Sequence, residues 1–349
     1  MKKTLKITGG VLAGVFVILL LAKVAADKTY FSDYDPKLPF DVKVTETGVV
    51  EDSGDFFGIP RNRHFEKVVF SMQTRRNERM PVLLTLPAKR TGKVPVIVFL
   101  HGIGQSKGFV EEICTPFNEA GFAMACFDQS MQGERKINGG LLAQAVAFRQ
   151  RPWKTINDGR RLIDYLQTHP DIDPERIYLV GASYGAITGS SLTAFDKRIK
   201  AADLVVGGAN IPVLLDAPLI VNGLNESILQ KTGRQMAAFI GPILHWTGKQ
   251  IVATMMKPAD PMNWVAGTKG TPVLMQNGSI DTLVSPDAGK ELYKYLGEPK
   301  EIRWYPCDHP GLDKTQAKII LQILDEGLVW LKEKDTLFQE KGSTLASQK

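Results

Sequence analysis

Ser183 sits in Gly181-Ala182-Ser183-Tyr184-Gly185, a G-x-S-x-G pattern that directly follows the apolar residues 177–180. A serine placed this way can attack a carbonyl, but its hydroxyl is a weak nucleophile. It needs a base within hydrogen-bond reach and a third group that orients the base. Glycines suit the flanking positions because such a serine is held in a strained backbone conformation where a strand turns sharply into a helix. The same five residues also describe an ordinary tight turn, so the pattern carries weight only with partners.

The base should be one of five histidines. His64 lies ahead of the N-terminal hairpin, on the wrong side of Ser183 in chain order, and His169 ends a helix that leads into a strand, which puts it on the opposite rim. His245 stands beside Trp246 in an apolar helical stretch and is expected to pack there. His101 belongs to the small-residue loop "FLHGIG". His309, in "IRWYPCDHPG", follows a strand directly and is selected by elimination and position.

The orienting carboxylate should follow another strand between the two, and "TPVLMQNGSIDTLVSP" supplies Asp281. Asp216 and Asp260 fall in a long insertion, Asp287 begins a helix where an acid ordinarily serves the dipole, and Asp308 adjoins His309 with its side chain expected to point away from the ring. The order Ser183, Asp281, His309 is the one that strand-turn-helix nucleophiles use. A tetrahedral intermediate also needs backbone N–H donors. Tyr184, the residue after the serine, offers one; the loop after Leu100 offers the other, at Ile103 or Gly104.

The elements that must hold these residues are legible as an alternation. "VPVIVFLHG" is a continuous apolar run, as in a strand covered on both faces of a parallel sheet. Helical spacing follows over 108–119, then the strand "GFAMACFD", the helix "WKTINDGRRLIDYLQTH", the strand "DPERIYLVG" and a helix after Ser183. Later come "AADLVVGGA", "TPVLMQNG", "KEIRWYP" and the helix "QAKIILQILDEGLVWLKEK". This is an α/β pattern with a mostly parallel central sheet, whose ligand site lies beyond the carboxyl ends of the strands. Upstream, one strand is expected at "DVKVTET" and a hairpin over 65–88. Residues 210–269 are too long for a plain crossover and read as helices rich in Ile, Leu, Met and Trp, a cap over an apolar pocket. Residues 336–349 read as a polar tail and 27–335 as the catalytic domain.

Taken together, "FLHGIG", "DPERIYLVGASYG", "QNGSIDTLVSP" and "DHPG" resemble the α/β-hydrolase superfamily, most closely its dienelactone-hydrolase, acetyl-xylan-esterase and prolyl-oligopeptidase-like branch. "NDGRRLIDYLQTH" resembles that branch's helix before the nucleophile strand, and "FDQSMQGER" the loop after its fourth strand, with Asp128 and Gly133 in matching places. The resemblance covers roughly 65–335. It implies an α/β-hydrolase fold with helices on both faces and a helical cap, and a Ser-His-Asp hydrolase that works through an acyl-enzyme and needs no cofactor and no metal. Pro310 after His309 and the long insertion depart from the branch and bear on which substrate is cleaved.

Composition sets the remaining bounds. Four lysines and no acid in residues 1–26 account for four of the six net positive charges, which leaves too little on the body for a nucleic-acid footprint. That N-terminal stretch has a basic start, an apolar run over 7–22 and small residues at Val24-Ala25-Ala26, the grammar of a signal peptide or an uncleaved membrane anchor. Either one exports the body, to the periplasm or the exterior or tethered to the membrane. Cys114, Cys126 and Cys307 match no zinc spacing and read as buried hydrophobes rather than an essential disulfide. The expected substrate is a small-molecule carboxylic ester; oligomeric state is left open. A peptidase or amidase of the same fold is the alternative, although residues 27–92 are too short for the propeller such peptidases add. An inactive, membrane-tethered binding protein is the third, against which stands the intact set Ser183, Asp281 and His309.

Overall fold

A computed structural model of the chain describes residues 23–347 except 57–58, 233 and 312–313. The chain divides into two compact units, Met1–Tyr34 and Asp35–Lys349. In the first, residues 23–28 are helical (α1), with Lys23 paired to Asp27 one turn on. The apolar run 7–22, expected as signal or anchor, lies outside the described residues. No described helix is long and apolar enough to cross a membrane.

The second unit is built on one sheet. Its strands are β1 (Lys43–Phe56), β2 (Ile59–Arg75), β3 (Glu78–Leu86), β4 (Val94–Leu100), β5 (Ala123–Phe127), β6 (Ile172–Ala182), β7 (Ile199–Val205), β8 (Val273–Gly278) and β9 (Lys300–Tyr305). Their order is β1-β2-β3-β5-β4-β6-β7-β8-β9. The β1, β2, β3 and β5 neighbours pair antiparallel; from β5 to β9 every pairing is parallel. The mostly parallel α/β sheet expected from the alternation is the one found.

Composition explains the two halves. Every residue of β4, β5 and β8 is buried, which is why β4 and β5 read as unbroken apolar runs; β8 also buries Gln276 and Asn277. β1 is an exposed edge strand carrying Glu46, Glu51 and Asp52, charges that discourage further pairing. It is far longer than the strand expected at "DVKVTET", because its outward residues show no apolar alternation and take their order from pairing with β2.

Helices cover both faces. α2 (Val110–Glu119) and α9 (Ala317–Ser347) bury Ile113, Phe117, Trp330 and Leu331 in one core with Ile97, Phe99 and Tyr178 of the sheet. α3 (Leu141–Leu166) and α4 (Tyr184–Phe195) precede and follow β6, and α8 (Pro286–Tyr295) follows β8. α3 begins twelve residues before the helix expected from Trp153 on, and α9 continues through Ser347 into the stretch expected as a polar tail. Between β7 and β8 the expected insertion is helical: α5 (Ile211–Leu215), α6 (Pro218–Thr232), α7 (Arg234–Met256) and three short 3-10 turns. Asp260 anchors its start, accepting from the Asn210 and Ile211 amides at 3.0 and 2.8 Å.

Candidate active site

Ser183 occupies the turn between β6 and α4 with φ +56° and ψ −118°, a conformation that costs an L-residue strain. The flanking glycines are there for space. A Cβ on Gly185 would lie 1.8 Å from the Leu100 carbonyl oxygen, and one on Gly181 2.4 Å from the Gly185 oxygen. β6, β4 and the start of α4 therefore approach each other more closely than any side chain would allow. The Ser183 amide donates to the Val205 carbonyl at 2.9 Å, which fixes the elbow to the end of β7.

The loops after β8 and β9 are zipped together. Ser279 N donates to Tyr305 O at 2.8 Å and Ile280 N to Cys307 O at 3.3 Å. This brings Asp281 and His309 to one place: Nδ1 of His309 lies 2.8 Å from Asp281 Oδ2, and Nε2 lies 3.0 Å from Ser183 Oγ. An ionised carboxylate only accepts, so Nδ1 carries the ring proton and Nε2 is free to accept from the serine hydroxyl. The other Asp281 oxygen accepts from the Leu283 and Val284 amides at 2.8 and 2.7 Å. Both Asp281 and His309 are buried.

The rejected histidines and carboxylates lie elsewhere. His64 is in β2, and His169 lies in the turn between α3 and β6, on the other rim. His245 does not pack beside Trp246; it pairs with Asp216 on the insertion, 2.9 Å apart, while Trp246 is exposed. Asp287 pairs with Lys290 at the start of α8. Asp308 points away from the ring as expected, but it has a task that the sequence did not reveal. Its carboxylate accepts from the Thr282 amide and from the His309 amide, each at 2.7 Å.

The loop after β4 is held by the loop after β5. Gln129 donates to the His101 carbonyl at 2.6 Å, and buried Asp128 accepts from the Lys107 and Glu134 amides at 2.7 and 2.9 Å. Gly133, at φ +54°, leaves room for that carboxylate: a Cβ there would lie 2.2 Å from Asp128 Cγ. Gln132 Oε1 accepts the Gly104 amide at 2.7 Å. Gly104 was the alternative oxyanion donor, and its N–H is already spent. Among the described residues, the Ile103 and Tyr184 amides have no acceptor. His101 is buried, and burial holds its imidazole below the usual range.

Behind these loops lies an ion network that no motif signals. Asp158 of α3 accepts from Arg75 at 2.8 Å and Arg135 at 2.6 Å, and Arg135 also donates to the Asp128 carbonyl at 3.0 Å. Glu78 joins it. Burial raises its pKa, but Arg135, Arg75 and Lys154 outweigh burial and hold it at about 2. The β2–β3 hairpin, α3 and the loop after β5 are thereby tied together.

Ser183 and His309 open onto a cavity of about 640 Å³. Its walls are mostly apolar, with Phe99, Phe109 and Val206 from the body and Leu214, Ile220 and Met256 from the insertion.

The sequence profile of the family described as "Acetyl xylan esterase (AXE1)" matches residues 58–326. A thiohydrolase from Aspergillus aculeatus is 32% identical over 111 residues, a match that covers 30% of this chain and 31% of that protein. The chain thus spans less than a third of that relative's length. Among solved structures, the fold is similar to an acetyl xylan esterase from Paenibacillus sp. R4 (TM-score 0.61, 19% identity, 86% of this chain and 92% of that one). It is also similar to acetyl xylan esterase 1 from Thermoanaerobacterium sp. JW/SL YS485 (TM-score 0.58, 17% identity, 86% and 93%). At these identities the structures speak for the α/β-hydrolase fold alone. The profile spans most of the chain, and the chain belongs to the acetyl xylan esterase family of α/β hydrolases.

Proposed function

We propose that the protein hydrolyses carboxylic esters by nucleophilic catalysis at Ser183. The observation that carries this reading is the relay Ser183–His309–Asp281, with contacts of 3.0 and 2.8 Å, at the mouth of an apolar cavity. Ser183 Oγ attacks the carbonyl carbon as His309 Nε2 takes its proton. Asp281 holds the imidazole tautomer and stabilises the imidazolium. The Ile103 and Tyr184 amides hold the oxyanion. Collapse breaks the ester C–O bond, and His309 returns the proton to the departing alcohol. Water, deprotonated by His309, then attacks the acyl-serine and releases the acid.

The apolar walls favour an acyl or alcohol group larger than methyl. The test is a series of 4-nitrophenyl esters from acetyl to octanoyl with Ser183→Ala as control. The expected result is a maximum above acetyl in kcat/KM and a loss of about a thousandfold or more in the variant. A Ser183→Ala protein that keeps the wild-type rate would overturn the assignment, and a maximum at acetyl would overturn the cavity argument. The basic, then apolar N-terminal residues support export, with the body released or anchored; N-terminal sequencing of the exported protein distinguishes the two.

A further inference from the structure

Among its described lining residues the cavity has one permanently charged side chain, and the hydrolytic steps above give it no role. Arg151 of α3 lines it together with Ser183 and Tyr184 and is 8% exposed. Its Nε and Nη2 are buried without an acceptor, and no carboxylate among the described residues pairs with it. The neighbouring cations contrast with it. Arg75 and Arg135 share Asp158, Lys154 pairs with Glu78, and Arg161 pairs with Asp164 and donates to the Leu38 carbonyl. What Arg151 has is the Tyr184 ring, whose centroid lies 4.2 Å from its Cζ. Stacking orients the guanidinium plane and offsets part of the cost of burial, yet it leaves the N–H donors unused.

A guanidinium is permanently charged and presents its donors as a planar fork that suits a carboxylate. An apolar cavity with few fixed polar groups takes its specificity from those groups. Among the described lining residues Arg151 is the only permanently charged one. We infer that Arg151 is the receptor for a carboxylate on the substrate, so that the preferred substrates are esters bearing a second, ionised carboxyl group. This rests on the hydrolase reading above and specifies its substrate class. Because Arg151 stacks on the ring of Tyr184, whose amide faces the oxyanion, the carboxylate would also register the ester carbonyl against that amide.

Two matched pairs test the inference and separate the possible positions of the carboxylate. Monomethyl adipate against methyl hexanoate places it on the acyl side; 4-acetoxybutanoate against butyl acetate places it on the alcohol side. The expected result is a higher kcat/KM for the anionic member of at least one pair. Arg151→Met should lower that anionic-to-neutral ratio at least about tenfold, and Arg151→Lys should restore part of it. Equal rates within both pairs, or an Arg151→Met loss that falls alike on both members, would overturn the inference while leaving the hydrolase reading in place. Calorimetric titration of Ser183→Ala with the two anionic esters reads binding without turnover. Binding of at least one that is lost on adding Arg151→Met supports the carboxylate receptor even if hydrolysis fails. Binding of neither, or binding unchanged by Arg151→Met, refutes it.

Discussion

The carboxylate of Asp308 reaches across two loops to Thr282: the amide nitrogen lies 2.7 Å from Oδ1, and the hydroxyl lies 2.9 and 3.1 Å from the two oxygens. The same carboxylate takes the amide of His309. Burial raises the Asp308 pKa, but these donors outweigh burial and hold it below the usual carboxylate range. Asp308 thus clasps the loop of Asp281 to the loop of His309 without touching the imidazole. Asp308→Ala should keep the fold, by circular dichroism, and lower kcat by about ten- to a hundredfold through misplacement of His309. Asp308→Asn should recover part of that loss. An alanine variant with wild-type kcat would show the clasp to be dispensable.

The elbow makes a prediction about stability. Gly185→Ala would place a methyl group 1.8 Å from the Leu100 carbonyl oxygen, with backbone on both sides and no flexible side chain to yield. Relief requires β4 and α4 to move apart, at a cost of about 3 kcal/mol or more. Chemical denaturation of the variant should show that loss, or no cooperative transition at all. Stability within 1 kcal/mol of wild type, to order of magnitude, would mean that the elbow is looser than described.

Asp203 of β7 couples stability to pH. Burial pushes its pKa up to about 7, although Gln276 donates to both oxygens and Arg303 opposes the shift. A carboxyl with a raised folded-state pKa favours the fold fully below its unfolded pKa near 4, and that contribution is lost as pH rises through about 7. Asp203→Asn mimics the protonated form and removes the loss. It should stabilise the protein relative to wild type by on the order of 2 kcal/mol more at pH 8 than at pH 5. Denaturant melts at the two pH values read this directly, and an equal effect at both would contradict it.

Much of the site was legible because its residues obey short-range rules. Gly181 and Gly185 mark a steric constraint, the run in β4 marks a strand buried on both faces, and Asp281 and His309 follow strand ends in the expected order. What the sequence hid depends on long-range geometry. Asp308 looked redundant beside His309 because its partner Thr282 is 26 residues away. Gln132 leaves no local trace of its bond to Gly104, yet that bond decides which amide of the loop stays free. Asp158 and Arg135 carry no motif, and their pairing exists only where α3, the hairpin and the loop after β5 meet. β1 was understated because its residues show no sustained apolar alternation and its length follows its pairing with β2.

The most direct measurement is covalent trapping. The folded wild-type protein, incubated with a fluorophosphonate probe and digested, should carry the adduct on the peptide that contains Ser183, at one equivalent per chain, with loss of ester hydrolysis in proportion. Ser183→Ala should take up none. A correctly folded wild-type protein that resists the probe, or an adduct on another serine that accounts for the inactivation, would contradict the assignment of Ser183 as the nucleophile.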